Sequence, residues 1–480
     1  MSARFLARTI RSACALISVL ATLTASAFDP VAPFLDPLQT LPPVIESGAW
    51  LPGDSEPVPC PSHKDFSAPL VLAEAIDLAL CNNPQIKAAW AAIKVQAGAV
   101  GEARAAYLPT LSTTVTQLQT HTAFPGSAVA ATTTHGKTIY GTFAWRLFDF
   151  GGRDANREAA NSLLVAAIAS HDASLQKTLR GVIQAYFDAQ TARATFQAKE
   201  QSEATAGRTL NTAQRRELHG AVSRGDTLQA TTALAKASLD KNRAIGDYRK
   251  ALSVLVYALG VPPQTTVLLI DDFSGKEGLE TRSLAEWMDL AQANHPAIVA
   301  ARAQWASAKQ KITATRSEGL PTLDFSANYY QNGYPGQGLA PTQSQVSSLG
   351  LSIAIPLFEG FSRTYKIRGA EARAEQSEAE MRDTEQNILM EVVKAHADAT
   401  AALQNLQASE KLLNAAEESL KASQRKYDKG AADILEILNT QLALSEAQLE
   451  RIRCLAEWRS ARLRLLANAG RMGRLALRLD

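Results

Sequence analysis

Long hydrophobic runs are nearly absent from these 480 residues. The one clear run, from about Ala13 to Leu23, is shorter than the ~20 apolar residues that cross a bilayer as a helix. Arg4, Arg8 and Arg11 precede or flank it and Ala25-Ser26-Ala27 follows, the order of a cleaved signal peptide over residues 1–27. The mature chain is therefore expected to be exported, and to stay between two membranes, leave the cell, or cross a membrane as strands. Excess charge of one sign is missing too. Losing the three leader arginines turns the formal net charge of +2 into −1, so neither nucleic acid nor an anionic surface is implied.

Cysteine is scarce. After the leader only Cys60, Cys81 and Cys454 remain, and an odd count is no disulfide framework. They read as three scattered buried thiols, with a Cys60–Cys81 bond as the alternative in an oxidising compartment. Catalytic signatures are lacking as well: there is no G-x-x-x-x-G-K-S/T, no H-E-x-x-H and no G-x-S-x-G. The seven histidines are scattered, and GYPGQG at 333–338 leads into more loop rather than a helix. No enzyme activity, cofactor or metal is expected, so energy for any transport must come from a partner.

Proline is unevenly missing. Half of the 20 fall within 28–69, whereas 126–261 and 357–480 contain none, which is what uninterrupted helix requires. What the chain has instead is a unit written twice. LAEAIDLALCNNPQI at 72–86 returns as LAEWMDLAQANHPAI at 284–298, with nine of fifteen positions identical at a shift of 212. LPTL at 108–111 meets LPTL at 320–323. At a shift of 210, LFDFGGR (147–153) meets LFEGFSR (357–363), Gly220-Ala221 meets Gly430-Ala431, and YRKALSVLVYALG (248–260) meets WRSARLRLLANAG (458–470).

Each copy reads as a helix of about 35 residues closing before Leu-Pro, two strands around a polar loop, and two long helices joined at Gly220 or Gly430. The stretch from Arg363 to Lys429 alone implies a rod on the order of 100 Å. Heptad rows through Val392, Ala399, Leu406, Leu413, Leu420 and Tyr427, and through Leu435, Leu442, Leu449, Ala456 and Leu463, predict coiled packing. The expected layout is a Pro-rich N-terminal segment at 28–69, a first repeat at 70–261, a linker at 262–282, a second repeat at 283–470 and a tail at 471–480.

The strands alternate. Ile139, Gly141, Phe143, Trp145 and Leu147 share one face, opposite Thr138, Tyr140, Thr142, Ala144 and Arg146. Leu323, Phe325, Ala327 and Tyr329 oppose Asp324, Ser326 and Asn328. LGLSIAIPLFEG at 349–360 sets Leu349, Leu351, Ile353, Ile355 and Leu357 on one face, and residues 110–120 give the weakest case. Strands of about 9–11 residues with an apolar outer face match a transmembrane barrel. Phe148, Phe150, Phe358 and Phe361 at one level, and Tyr329, Tyr330 and Tyr334 at the other, are expected as interface girdles, with long loops at about 121–136 and 331–345. Four strands cannot close a barrel, and an open sheet leaves unsatisfied edges in lipid. Several copies must pool their strands, and three would give twelve.

The two-copy layout, the L-A-E…N-P opening, the L-P-x-L before a strand, the P-L-F-x-G exit and QRKYDKG…L…L together resemble the TolC family of outer membrane efflux proteins over roughly 70–470. Within it, QRKYDKGAADILEILNTQLAL is most similar to outer membrane components of type I toxin secretion systems. The resemblance implies a mixed, mainly α fold. Its homotrimer would form a twelve-strand barrel in the outer membrane, continuing into a periplasmic α-helical barrel. The partners it implies are outer membrane lipid, a periplasmic adaptor (membrane fusion) protein and an inner-membrane pump such as an ABC transporter. The inner end would narrow to an iris at the Gly220 and Gly430 turns. By resemblance Tyr427 would bond Asp226, the family's latch arginine falls at Ala432 and is lost, Arg224 stands close enough to substitute, and two acidic rings become Glu436 and Asn439. That is a passive export duct for protein toxins or small molecules. The competing reading is a non-pore periplasmic coiled-coil structural or adaptor protein.

Overall fold

The computed structural model describes residues 36–42, 60, 66, 68–123, 125, 126, 128, 130–270, 282–332 and 344–470. The expected signal peptide, most of 28–69, most of the 262–282 linker, Tyr334, the GYPGQG loop and the 471–480 tail lie outside these residues. Residues 36–41 belong to one unit, in which the Asp36 carboxylate accepts from the backbone N–H groups of Thr40 and Leu41.

The second unit, Pro42–Asp480, runs twice through one order of elements. The first copy holds α1 (Leu72–Asn82), α2 (Pro84–Ala105), β1 (Thr110–Thr122), β2 (Thr132–Phe148), α3 (Gly152–Leu218) and α4 (Arg224–Leu259). The second holds α5 (Leu284–Asn294), α6 (Pro296–Ser317), β3 (Thr322–Gln331), β4 (Gln345–Ala354), α7 (Ser362–Asp428) and α8 (Ile434–Asn468).

The opening helix of each copy is not the single rod expected from the sequence. It breaks at Asn83 and His295, whose backbones are extended with ψ of 122° and 123°, because a following proline crowds the α conformation. Pro84 and Pro296 then begin new helices, at a position where a missing N–H costs no hydrogen bond.

The proline-free stretches are continuous helix. α3 and α7 each hold 67 residues, or about 100 Å at 1.5 Å per residue. α3 packs along α2, α4, α6 and α8, and α7 along α6 and α8. The heptad row of α7 faces inward: Val392, Ala399, Leu406 and Tyr427 are buried, with Leu413 and Leu420 half-buried between them. The row expected in α8 is buried only from Ala456 onward, and Leu435 and Leu442 are exposed. A straight helix rotates a seven-residue row by ~20° per heptad, enough over this length to turn its start outward.

Large side chains concentrate around the middle of the two 67-residue helices and the closing turns of α4 and α8. Ile76 of α1 packs with Leu179 and Ile183 of α3 and with Leu255 and Leu259 of α4. Trp287 of α5 packs with Val392 and Leu406 of α7 and Trp458 of α8. Toward the end of α3 the buried residues shrink to Ala206, Thr209 and Ala213, so the axes approach closely there.

The cysteines correct the expectation of three thiols. Cys60 and Cys81 form a disulfide with a Cα–Cα distance of 5.5 Å, tying residue 60 to the end of α1, while Cys454 is free and buried in α8. With one sulfur enclosed by helix packing, the other two remain as a pair.

The four strands make one antiparallel sheet in the order β1-β2-β3-β4. β1 and β2 pair from Thr110–Ala144 to Thr122–Thr132, so the loop expected at 121–136 shrinks to 123–131. β4 ends at Ala354, which leaves Ile355 and Leu357 outside the ladder; Pro356 between them has no N–H to donate.

Candidate functional site

Two regions carry the features that the sequence singled out: the sheet and the turns at the far end of the long helices. In an antiparallel ladder directly paired residues point to the same face. The pairs Leu111–Phe143, Val115–Ile139, Trp145–Phe325, Phe325–Leu351, Leu323–Ile353 and Ala327–Leu349 therefore build one apolar face across all four strands. Leu349 is 79% exposed and Leu351 and Ile353 are each 67% exposed, with none of the described residues covering them. Trp145 and Leu147 are exposed; Ile139, Phe143 and Phe325 are half-buried, and the Phe143 and Phe325 rings meet edge-on at 6.0 Å. Ile355 and Leu357 extend the exposed apolar surface beyond the strand.

Leu111 and Val115, 81% and 63% exposed, belong to this face although the sequence reading gave β1 little weight. Their spacing of four, across Thr113, was the signal. The opposite face is polar. Arg146 and Asp324 form a cross-strand ion pair at 2.9 Å, and the Tyr140 and Tyr330 rings stack at 6.2 Å. Tyr330 thus leaves the expected girdle, because it alternates with Tyr329 and points to the other face.

At the helix-side rim, Phe148 meets Phe150 at 4.7 Å and Phe358 meets Phe361 at 5.5 Å. The joint beneath is polar and tight. Arg153 bonds the Asp149 carboxylate at 3.0 Å and the Arg146 carbonyl at 2.7 Å, and lies over the Tyr107 ring. Trp145 Nε1 donates to the Tyr107 carbonyl at 2.9 Å. These contacts lock strand to helix.

At the far end the two turns are built alike. Gly220 and Gly430 take φ of +70° and +73°, and Ala221 and Ala431 donate back to the carbonyls of Arg216 and Lys426 at 2.8 and 2.9 Å. This is the glycine-terminated helix cap in which a left-handed residue lets the chain reverse. Each second helix is then capped: Ser223 Oγ accepts from Asp226 N while the Asp226 carboxylate accepts from Ser223 N, and Asp433 accepts from Glu436 N at 2.8 Å.

The Tyr427–Asp226 bond drawn from the family resemblance is absent within the chain. Asp226 is engaged in its own capping box. Tyr427 is buried and its hydroxyl has no hydrogen-bond partner among the described residues; its ring lies 4.2 Å under the Arg216 guanidinium. Glu436 accepts from Ser423 Oγ at 3.0 Å and Lys426 Nζ at 3.3 Å, whereas Asn439, Ala432 and Arg224 show no such tie, Asn439 and Arg224 being exposed. Arg216 is the tip residue that the sequence reading missed; its partner lies 211 positions away, beyond any local pattern.

The family model described as Outer membrane efflux protein matches residues 75–261 and 287–471, one match on each copy. Protein CyaE of Bordetella pertussis is 34% identical over 416 residues, covering 87% of this chain and 87% of that protein. Alkaline protease secretion protein AprF of Pseudomonas aeruginosa is 25% identical over 415 residues, covering 84% of each. The fold is also that of the outer membrane protein VceC of Vibrio cholerae, with a TM-score of 0.72 at 20% identity over 83% of this chain and 96% of the other. The open state of the Neisseria gonorrhoeae MtrE outer membrane channel gives a TM-score of 0.69 at 18% identity over 88% and 98%.

Proposed function

The chain belongs to the outer membrane efflux protein family and is an outer membrane channel for secretion or efflux, and from that premise we propose that its cargo is protein. The support is the likeness to CyaE across most of both chains, and to AprF and PrtF, which are named for secretion of proteases. In this reading the chain is the passive outer part of a type I secretion system. It catalyses nothing, and a periplasmic adaptor and an energised inner-membrane pump such as an ABC transporter supply force and cargo.

The observation that carries the duct is the sheet. Its apolar face runs over four strands, and β1 and β4 each have one edge without a partner among the described residues. Unpaired backbone edges are costly in hydrocarbon, so the sheets of three subunits close head to tail into twelve strands. Asp324, Arg146 and the stacked tyrosines then face water inside the barrel, and Leu111, Phe143, Trp145, Leu351 and Ile353 face lipid. The pooled helices continue as a tube about 100 Å long to a tip formed by the Gly220 and Gly430 turns. In this reading Asp226, Tyr427, Glu436 and Asn439 would stand at its constriction, where one acidic ring instead of two would weaken the block to cations.

The alternative of a non-pore coiled-coil protein is not favoured, since an uncovered apolar sheet has no place in water. Efflux of small molecules remains the second reading, favoured by a 26% identity over 382 residues with Cation efflux system protein CusC. Deleting the gene separates them: loss of a secreted protein with unchanged drug and metal tolerance supports protein export, and the reverse pattern overturns it.

A further inference from the structure

We infer that Arg216 is a latch residue, which holds the tip closed by joining the two helical hairpins of one chain. The inference rests on the reading of the chain as a channel gated at this end. The α3–α4 and α7–α8 hairpins meet along α3 and α8, so a tip that widens by parting them must break the ties near the turns. Arg216 stands in the last turn of α3. Its Nη1 donates to the Tyr427 carbonyl at 2.9 Å and its Nη2 to the Asp428 carbonyl at 3.5 Å, and its guanidinium covers the Tyr427 ring.

Three physical effects converge on that one side chain. Both accepting carbonyls lie in the last turn of α7, at the negative end of its dipole, and the Tyr427 carbonyl uses its second lone pair, since it also accepts from Gly430 N at 2.9 Å. Arg216 also sits at the same end of α3, so one positive charge serves two helix ends. The ring face adds a cation–π contact in a buried setting. The Tyr427 hydroxyl takes no part: it is buried without a partner, beside a cavity of about 270 Å³ whose walls include Thr209, Thr212 and Gln441. The ring and the helix end hold the hairpins, not the hydroxyl.

The duplication supplies an internal comparison. At the shift of 210 that pairs the turns, the counterpart of Arg216 is Lys426 and that of Glu217 is Tyr427. Lys426 reaches Glu436 within its own hairpin at 3.3 Å, whereas Arg216 crosses to the other hairpin. The neighbouring cross-hairpin tie, Gln441 Nε2 to Thr209 Oγ1 at 2.8 Å, is neutral. Arg216 thus carries its charge across the two hairpins, where its counterpart in the other copy stays within one.

Single-channel recording of the purified full-length protein in planar bilayers tests this, with assembly checked by gel mobility before and after heating. Arg216→Ala is expected to raise the open-channel population about tenfold, through the loss of two charge-assisted bonds, one of them long, and one cation–π contact. Arg216→Lys, which keeps the charge without the planar fork, falls between. Tyr427→Leu, which keeps the carbonyl bonds and loses only the ring contact, falls between the wild type and Arg216→Ala, and the double variant does not exceed Arg216→Ala. Arg208→Ala, whose guanidinium bonds Thr205 in its own helix, stays at the wild-type level. If Arg216→Ala does not assemble, Arg216→Lys decides alone. Arg216 variants conducting as the wild type does, or the two substitutions adding independently, overturn the latch while leaving the channel intact. A wild-type protein that assembles yet never conducts overturns the channel reading, and the latch with it.

Discussion

Asn83 and His295 stand 212 residues apart and do the same work: Asn83 Oδ1 accepts from Gln85 N at 2.8 Å, and His295 Nδ1 accepts from Ala297 N at 3.2 Å. Each caps the helix that restarts at a proline. The ring of His295 is buried, and burial, reinforced by the Arg180 charge, pushes its pKa down to about 4. A protonated ring could no longer accept at Nδ1.

A folded pKa below the unfolded value makes the unfolded chain bind the extra proton between the two. Stability from this group is complete above about pH 6.5 and falls as the pH drops toward 4, by about 3 kcal/mol in all. The first copy names the remedy. His295→Asn should hold stability at pH 8 within about 1 kcal/mol, as one capping acceptor for another, and flatten the loss between pH 6.5 and 4. Denaturant midpoints of the detergent-solubilised protein across that range read the difference, and an unchanged acid slope in His295→Asn contradicts it.

The disulfide gives a chemical count. In denaturant without reductant the mature chain should expose one reactive thiol, Cys454, and after reduction three. Closing the loop between Cys60 and Cys81, 21 residues apart in sequence, contributes about 3 kcal/mol by the chain-entropy argument. Cys60→Ser is expected to release the segment around residue 60 to protease while leaving the long helices intact. Three thiols before reduction, measured by mass after alkylation, would rule the bond out.

Neighbouring residues of β4 test which face meets lipid. Leu349 lies in the apolar row and Ser348, paired with Asn328, in the polar one. Leu349→Arg near the middle of the strand should cost about 2–4 kcal/mol and sharply reduce folding into vesicles, while Ser348→Arg should cost far less. Equal effects on heat-modifiable gel mobility would remove the distinction between the faces.

Much of this architecture was legible because the chain states it twice. The repeated LAE and LPTL segments, the alternating strand residues and the proline-free stretches each reappear as an element of the structure. The misses have physical causes. The 35-residue helices were read through Pro84 and Pro296, although each forces its predecessor out of the helix. β4 was read past Pro356, where side-chain alternation continues but backbone pairing stops. Leu111 and Val115 were underweighted because threonines separate them, and only the register to Phe143 and Ile139 reveals their face. Arg216 left no trace at all, since a guanidinium that reaches another repeat has no local spacing to betray it.

In the proposed barrel β1 of one subunit pairs with β4 of the next. Within one chain two strands separate them, a gap of about 14 Å at ~4.8 Å per strand, beyond the ~7 Å limit on Cα separation for a disulfide. In a Cys454→Ser background, Leu351→Cys should be combined in turn with Leu111→Cys, Thr113→Cys and Val115→Cys and oxidised in the membrane. A covalent ladder ending at three chains is expected at the correct register. No intermolecular bond at any register, with the chain recovered as a water-soluble monomer, would contradict the account.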